Sequence, residues 1–322
     1  MLYPNLREKR AHLSTLALLA SGFALLATNA LASPASETAR LHEWLDEQYE
    51  EELRFSPTQL TNLGRRDLYD QIDDYSLDAT DREIAWYQQS VDELKANFVY
   101  DELDAEGQTS YDFWEYRLGR LEESREFSLQ NYPMSQLSGP HTSLPRTMLN
   151  YHDVESLADM EAYNERIRQI GRAIDQTLER VQQAAKKGVR PPRFAQETLI
   201  TQLKAVTTGQ PFSEGDDTAL WADAKNKVAA LREAGTIDDA TATRLLDENK
   251  AALLEKLGPA YARAIDWFSS DVNNTPDEAR KAIDLPRGED YYAHRLRYFT
   301  TTDMTAAQIH QVGLDEVARI RR

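Results

Sequence analysis

Between Leu157 and Val181 the apolar residues Leu157, Met160, Tyr163, Ile167, Ile170, Ile174, Leu178 and Val181 recur at steps of three and four only. A strand turns its side chains to opposite faces every second residue, so this spacing can bury its apolar groups only as one stripe along an α-helix of about eight turns. Lys186, Lys187 and Gly188 suit the negative end of that helix and a left-handed cap, and Pro191-Pro192 forbids continuation. A helix so long needs partners along its apolar face. The rest of the chain must supply them.

The same periodicity predicts helices over 37–54, 57–70, 81–98, 105–127, 194–207, 217–234, 238–257, 260–272 and 306–322. Helix starts are marked by Ser or Thr three residues before Glu or Gln, at Ser56 with Gln59, Thr80 with Glu83, Thr275 with Glu278 and Thr305 with Gln308. No window alternates apolar and polar residues for long, and no Asn-Gly or Asp-Gly turn joins β-branched runs, so strands lack support. The predicted fold class is mainly α, a multi-helix array. Gln130 to His152, with Pro133, Gly139, Pro140 and Pro145, reads as a long loop packed on the body. A domain boundary would fall there or at Gly209 to Asp217.

The two ends carry their own signals. Arg7, Lys9 and Arg10 precede an apolar run from Leu13 to Leu26 and then Ala30-Leu31-Ala32, the pattern of an export signal cleaved after Ala32. Residues 1–32 are therefore expected to be a signal peptide and 33–322 one helical domain. The expected location is the periplasm, with no stable membrane insertion after cleavage. Removing a segment of net charge +2 takes the chain from -17 to -19. Affinity for phosphates rests mostly on Lys and Arg, so an acidic balance argues against a nucleic-acid partner. The absence of cysteine excludes disulfides, thiolate metal sites and a cysteine nucleophile. At the other end, Ala306 to Arg322 reads as an amphipathic helix with Ile309, Val312, Val317 and Ile320 inward. It reaches Arg322 without a Gly, Asn or Pro stop signal and reads as cut.

Several constellations could carry chemistry, each weighed against a plainer reading. His42-Glu43-Trp44-Leu45-Asp46 resembles the zinc motif H-E-x-x-H with Asp at the fifth position, but it lies in an acidic amphipathic helix, where a solvated face is the stronger reading. Asp271 to Thr275 starts like a calcium loop but meets Pro276 where the turn needs Gly, and reads as a helix cap. His141 and His152 flank the Pro-rich segment, with Asp153 placed to orient the second; no third ligand or nucleophile accompanies them. The densest segment is Leu285 to Thr302, where Tyr291, Tyr292, Tyr298, His294 and three arginines surround a helix beginning at Gly288. Such donors could hold a carboxylate or oxyanion, or form an aromatic edge with snorkelling arginines.

That segment, with Met304 to Ile320 after it, resembles the bacterial family catalogued as domain of unknown function 885. The G-x-x-Y-Y start at Gly288, the triplet Thr300-Thr301-Thr302, and Ile309-His310-Gln311-Val312-Gly313-Leu314 leading to Glu316-Val317 and Arg319-Ile320 carry the likeness. The Phe55-Ser56-Pro57-Thr58 opening and the Pro-rich segment before a long helix fit it too. The resemblance implies an exported helical protein about twice this length, grouped with zinc-dependent peptidases whose H-E-x-x-H lies in the second half. This chain would then form the N-terminal half of a metallopeptidase-like helical fold and supply one wall of a peptide-binding channel. No residue here would bind zinc or act as a catalytic group, zinc being expected only in the other half. Tyr291, Tyr292 and His294 would line the groove for a peptide substrate. A non-catalytic periplasmic binding or scaffold module is the alternative.

Overall fold

The computed structural model describes residues 33–322; the expected signal peptide lies outside the described residues. Helix α6 (Leu157–Lys186) carries the long stripe, and Met160, Tyr163, Ile167, Ile170 and Ile174 on it are fully buried. Ser156 and Asp159 close its N-terminus as a reciprocal capping box. At its C-terminus, Val189 N–H bonds back to Ala184 C=O at 3.0 Å, with Gly188 at φ 82° making the left-handed turn. Truncating one of the central isoleucines to alanine should cost about 2–5 kcal/mol, because a site this enclosed collapses poorly.

Around α6 pack α5 (Pro140–Asn150), α7 (Arg193–Val206), α8 (Ala219–Glu233), α9 (Asp239–Ala252) and α10 (Gly258–Asp271), forming the larger apolar core. Helix α9 runs into α10 through a π-helical turn, Leu253–Leu257. Gly171 admits that turn: a Cβ there would stand 2.6 Å from the Lys256 carbonyl oxygen. A second core lies among α1 (Pro34–Leu53), α3 (Leu77–Asn97) and α4 (Ala105–Glu126), built on Leu41, Tyr87, Leu94 and Trp114. Short α2 (Pro57–Asn62) and the irregular segment to Ser76 join the two cores. Helices α11 (Gly288–Thr300) and α12 (Ala306–Ile320) follow. The fold is mainly helical, and no strand forms among the described residues beyond one isolated bridge between Gln210 and Asp217.

Five expectations need correction. The expected loop 130–152 contains α5, because Pro140 sits in its first turn, where a missing N–H costs nothing. Pro145, inside α5, leaves the His141 carbonyl without its usual donor, and the Tyr261 hydroxyl of α10 takes that place at 2.8 Å. The helix expected over 57–70 ends at Asn62, where Gly64 turns at φ 77° and Arg65 N–H caps the Leu60 carbonyl. Thr80 and Glu83 lie inside α3, which is capped by Ser76, and no helix starts at Thr275. The α12 stripe exists, and Thr305 with Gln308 forms the expected capping box. Its apolar residues do not face inward: Val312 is 48% exposed and Ile320 73%.

One buried cation binds the irregular 57–76 segment to α6. Arg166 is fully buried, and its guanidinium donates to the carbonyls of Gln71 (2.8 Å), Pro57 (3.3 Å) and Leu68 (3.3 Å) and to His152 Nδ1 (3.1 Å). His152 Nε2 in turn lies 3.1 Å from the Asp159 carbonyl, so the ring is neutral with its proton on Nε2. Burial pushes His152 down to about 3 and Arg166 down to about 10. Tyr69 stacks on the imidazole at 4.0 Å. Leu68, at φ 49°, is held in the left-handed region by this frame.

Candidate functional site

The residues singled out in α11 are placed by the end of α4. His294 is 2% exposed, stacks on Phe127 at 4.9 Å, and sets Nδ1 3.4 Å from a Glu123 carboxylate oxygen. Tyr291 packs on the same Phe127 ring at 5.9 Å, while Tyr292 is 41% exposed. Arg297 donates to the other Glu123 oxygen at 2.6 Å. Burial opposes ionisation of Glu123, but the bond from Arg297 prevails and holds its carboxyl below the usual range. Tyr291 and His294 therefore anchor α11, and its next turn, Arg297 and Tyr298, faces open space.

That space is a groove of about 430 Å³ walled by Tyr116, Arg120, Glu123, Arg297 and Tyr298. The Arg120 guanidinium lies 3.8 Å over the Tyr298 ring and forms no ion pair among the described residues. Tyr116, Arg120 and Tyr298 also wall an adjoining groove of about 390 Å³, which reaches Arg117 and Glu83. Glu83 continues into a third space of about 420 Å³ beside Glu52, Phe55, Asp73, Asp74 and Arg180. Glu83, Phe55 and Asp74 border a fourth, of about 280 Å³, against α6. Neighbouring spaces share wall residues and so form a succession of hollows, aromatic near α11 and lined by charges of both signs where α1 and α3 meet the 54–76 segment.

Buried polar groups crowd together in the second of these stretches. Arg117 from α4 pairs with Glu52 through Oε1, and its guanidinium lies 5.2 Å over the Tyr87 ring. The buried Tyr87 hydroxyl lies against the same Glu52 carboxylate and donates to it, while Arg180 Nε is buried without a partner among the described residues. Burial, then the neighbouring Glu52 charge, raises the Glu83 carboxyl above its usual range. Burial and the Glu52 charge, with that hydrogen bond, raise the Tyr87 phenol. Asp73 is spent on the Thr58 amide and hydroxyl and on Ser56, and Asp74 on Arg82, Ser76 and Gln176. Glu83 forms no ion pair among the described residues.

His42, His141 and His152 each have a local partner. His42 Nε2 lies 3.1 Å from Ser110 Oγ. His141 is fully buried, 3.4 Å from Gln202, and burial lowers its affinity for a proton. His152 serves Arg166, and Asp153 offers only its carbonyl, to Tyr69. Asp271 pairs with Arg190 at 2.8 Å. Among the described residues no group of three or more His, Asp or Glu could hold a metal ion. Glu52, Glu83, Tyr87 and Arg180 escape a reading of the sequence because three helices bring them together, and Glu83 mimics a capping residue. The usable signal is Glu83 and Tyr87, one helical turn apart on α3.

Residues 57–322 match the family described as "Bacterial protein of unknown function (DUF885)", and the chain belongs to that family. No curated protein matches it. Among solved structures, the crystal structure of the "putative lipoprotein from Colwellia psychrerythraea" superposes with a TM-score of 0.69 at 18% identity. The match covers 89% of this chain and 50% of that one, so the chain spans half the length of that structure. At this identity the likeness concerns the fold alone. No helix among the described residues is long and apolar enough to cross a membrane.

Proposed function

We propose that this chain is the N-terminal part of an exported, zinc-dependent peptidase-like protein and supplies one wall of its peptide channel. The observation that carries the reading is the succession of spaces with shared walls from Arg297 and Tyr298 past Glu83 to Phe55. It is a succession of shallow spaces along one face, which suits an extended chain better than a compact metabolite. The described residues do not fit zinc. Under this reading the hydrolytic chemistry belongs to other parts of the protein, and no catalytic step is assigned to residues of this chain. Tyr291 and His294 act by positioning, holding the α11 turn that bears Tyr298 and Arg297.

Photo-crosslinking tests the reading. Peptides carrying a benzophenone group should label Tyr116, Tyr298 and their neighbours, and competing unlabelled peptide should suppress the reaction. Labelling spread over the surface, or insensitive to competition, would contradict it. The alternative, a non-catalytic periplasmic binding or scaffold module, is favoured by the exposed apolar residues of α12. A protein captured through α12, with no peptide labelling in the groove, would favour that alternative.

A further inference from the structure

We infer that the hollows between α4 and α11 hold the C-terminal residue of a peptide, with Arg120 on its free carboxylate and its apolar side chain among Phe113, Tyr116 and Leu121. The inference rests on the channel reading for the peptide that carries the carboxylate; the site itself is argued from its own atoms. Arg120 is half-buried beside two aromatic rings, its guanidinium 3.8 Å over Tyr298 and 5.6 Å from Tyr116. Rings hold a guanidinium by its face and leave the N–H donors in its plane unused. The neighbouring arginines are taken, Arg117 by Glu52 and Arg297 by Glu123, but Arg120 forms neither an ion pair nor a hydrogen bond among the described residues.

No nearby carboxylate answers it. Glu123 accepts from Arg297 and His294. Glu83, across the adjoining hollow, is governed by Glu52 and Arg117, and Asp303 stands exposed at the rim without an ion pair. A second guanidinium, Arg295, lies 4.7 Å over the same Tyr298 ring and also lacks a carboxylate partner among the described residues. In a chain with 54 acidic and 37 basic residues, two unmatched arginines at one tyrosine leave room for an anion from outside. The walls state what the anion is attached to. The hollow of about 390 Å³ that adjoins Arg120 is lined by Phe113, 57% exposed, Tyr116, 41% exposed, and Leu121. Free inorganic phosphate would leave those rings uncovered, and a neutral aromatic group would leave Arg120 unpaired. A terminal carboxylate beside an apolar side chain uses both, through paired N–H bonds and buried apolar surface.

Calorimetric titration of the 322-residue chain tests this with four alanine-rich hexapeptides. Two end in phenylalanine, as free acid and as amide; one ends in glycine as free acid; one is an amide with an internal glutamate. N-acetyl-phenylalanine and its amide serve as small probes. The phenylalanine acid should bind about tenfold more tightly than its amide, the worth of a charge-assisted hydrogen bond, and about fivefold more tightly than the glycine acid. Arg120→Gln should erase the preference for acid over amide with an unchanged circular dichroism spectrum. Arg120→Lys, which keeps the charge but not the fork, should retain part of it. Equal binding of acid and amide, or an undiminished preference in Arg120→Gln, would overturn the inference. A glutamate amide as tight as the phenylalanine acid would overturn the C-terminal assignment. Acid and amide that bind equally and still crosslink at Tyr116 and Tyr298 overturn this site alone. A preference kept by N-acetyl-phenylalanine, without competable peptide crosslinking, overturns only the channel.

Discussion

Two clusters of buried charge border the 54–76 segment, and they are built differently. Around Arg166 every guanidinium nitrogen is used: three backbone carbonyls and the His152 ring take its N–H groups, and the ring's other nitrogen meets a carbonyl. Around Glu52 charges of both signs crowd together: Arg117 pairs with Glu52, the Tyr87 hydroxyl lies against the same carboxylate, and Glu83 and Arg180 form no ion pair among the described residues. Burying a polar group unpaired costs free energy that folding alone does not return. The first cluster ties the 57–76 segment to α6, whereas the second lines a cleft.

The comparison can be broken most forcefully at Arg166. Arg166→Leu strips a donor from three carbonyls at once, and denaturant unfolding should register a loss of about 3–5 kcal/mol. A loss below about 1 kcal/mol would mean that water replaces the guanidinium and that the cluster is not closed.

Acid titration separates the clusters by sign. His152 has a folded pKa of about 3 against an ordinary 6.5, so between those values the unfolded chain binds the extra proton. Its contribution is fully present above 6.5 and lost as pH falls toward 3, at up to about 1.4 kcal/mol per pH unit. Glu83 behaves oppositely. Its raised carboxyl makes the folded state the better proton binder above the ordinary 4.5, and its contribution fades as pH rises through the folded value. The stability curve of His152→Gln should lose the acid-side slope, and that of Glu83→Gln should lose the decline at higher pH.

The smallest expected effect lies in the second cluster. Tyr87→Phe removes a buried hydroxyl that bonds the Glu52 carboxylate, so denaturant unfolding should register a loss of about 0.5–1.5 kcal/mol. Unchanged or higher stability would mean that the hydroxyl contributes nothing to the cluster.

How much of this could be read from the sequence follows the range of the interactions. The α6 stripe and the capping box at Thr305 are local, and they appear where the sequence puts them. Helix α5 is hidden because its cost and its remedy are far apart: Pro145 deletes a bond that Tyr261, on another helix, restores. The α12 pattern specifies a helix but not a partner for its apolar face. The dense α11 segment draws attention to Tyr291, Tyr292 and His294, yet Arg297 and Tyr298, one turn on, border the groove. Glu52, Glu83 and Tyr87 look ordinary in the sequence, because their closeness is a property of the packing.

The central claim, that the spaces from Tyr298 past Glu83 to Phe55 form one wall of a peptide channel, is tested most directly by a crystal structure of the chain grown with a peptide. The expected result is an extended peptide lying along Tyr116, Tyr298 and Phe55. A peptide bound elsewhere, with these residues untouched, would contradict it.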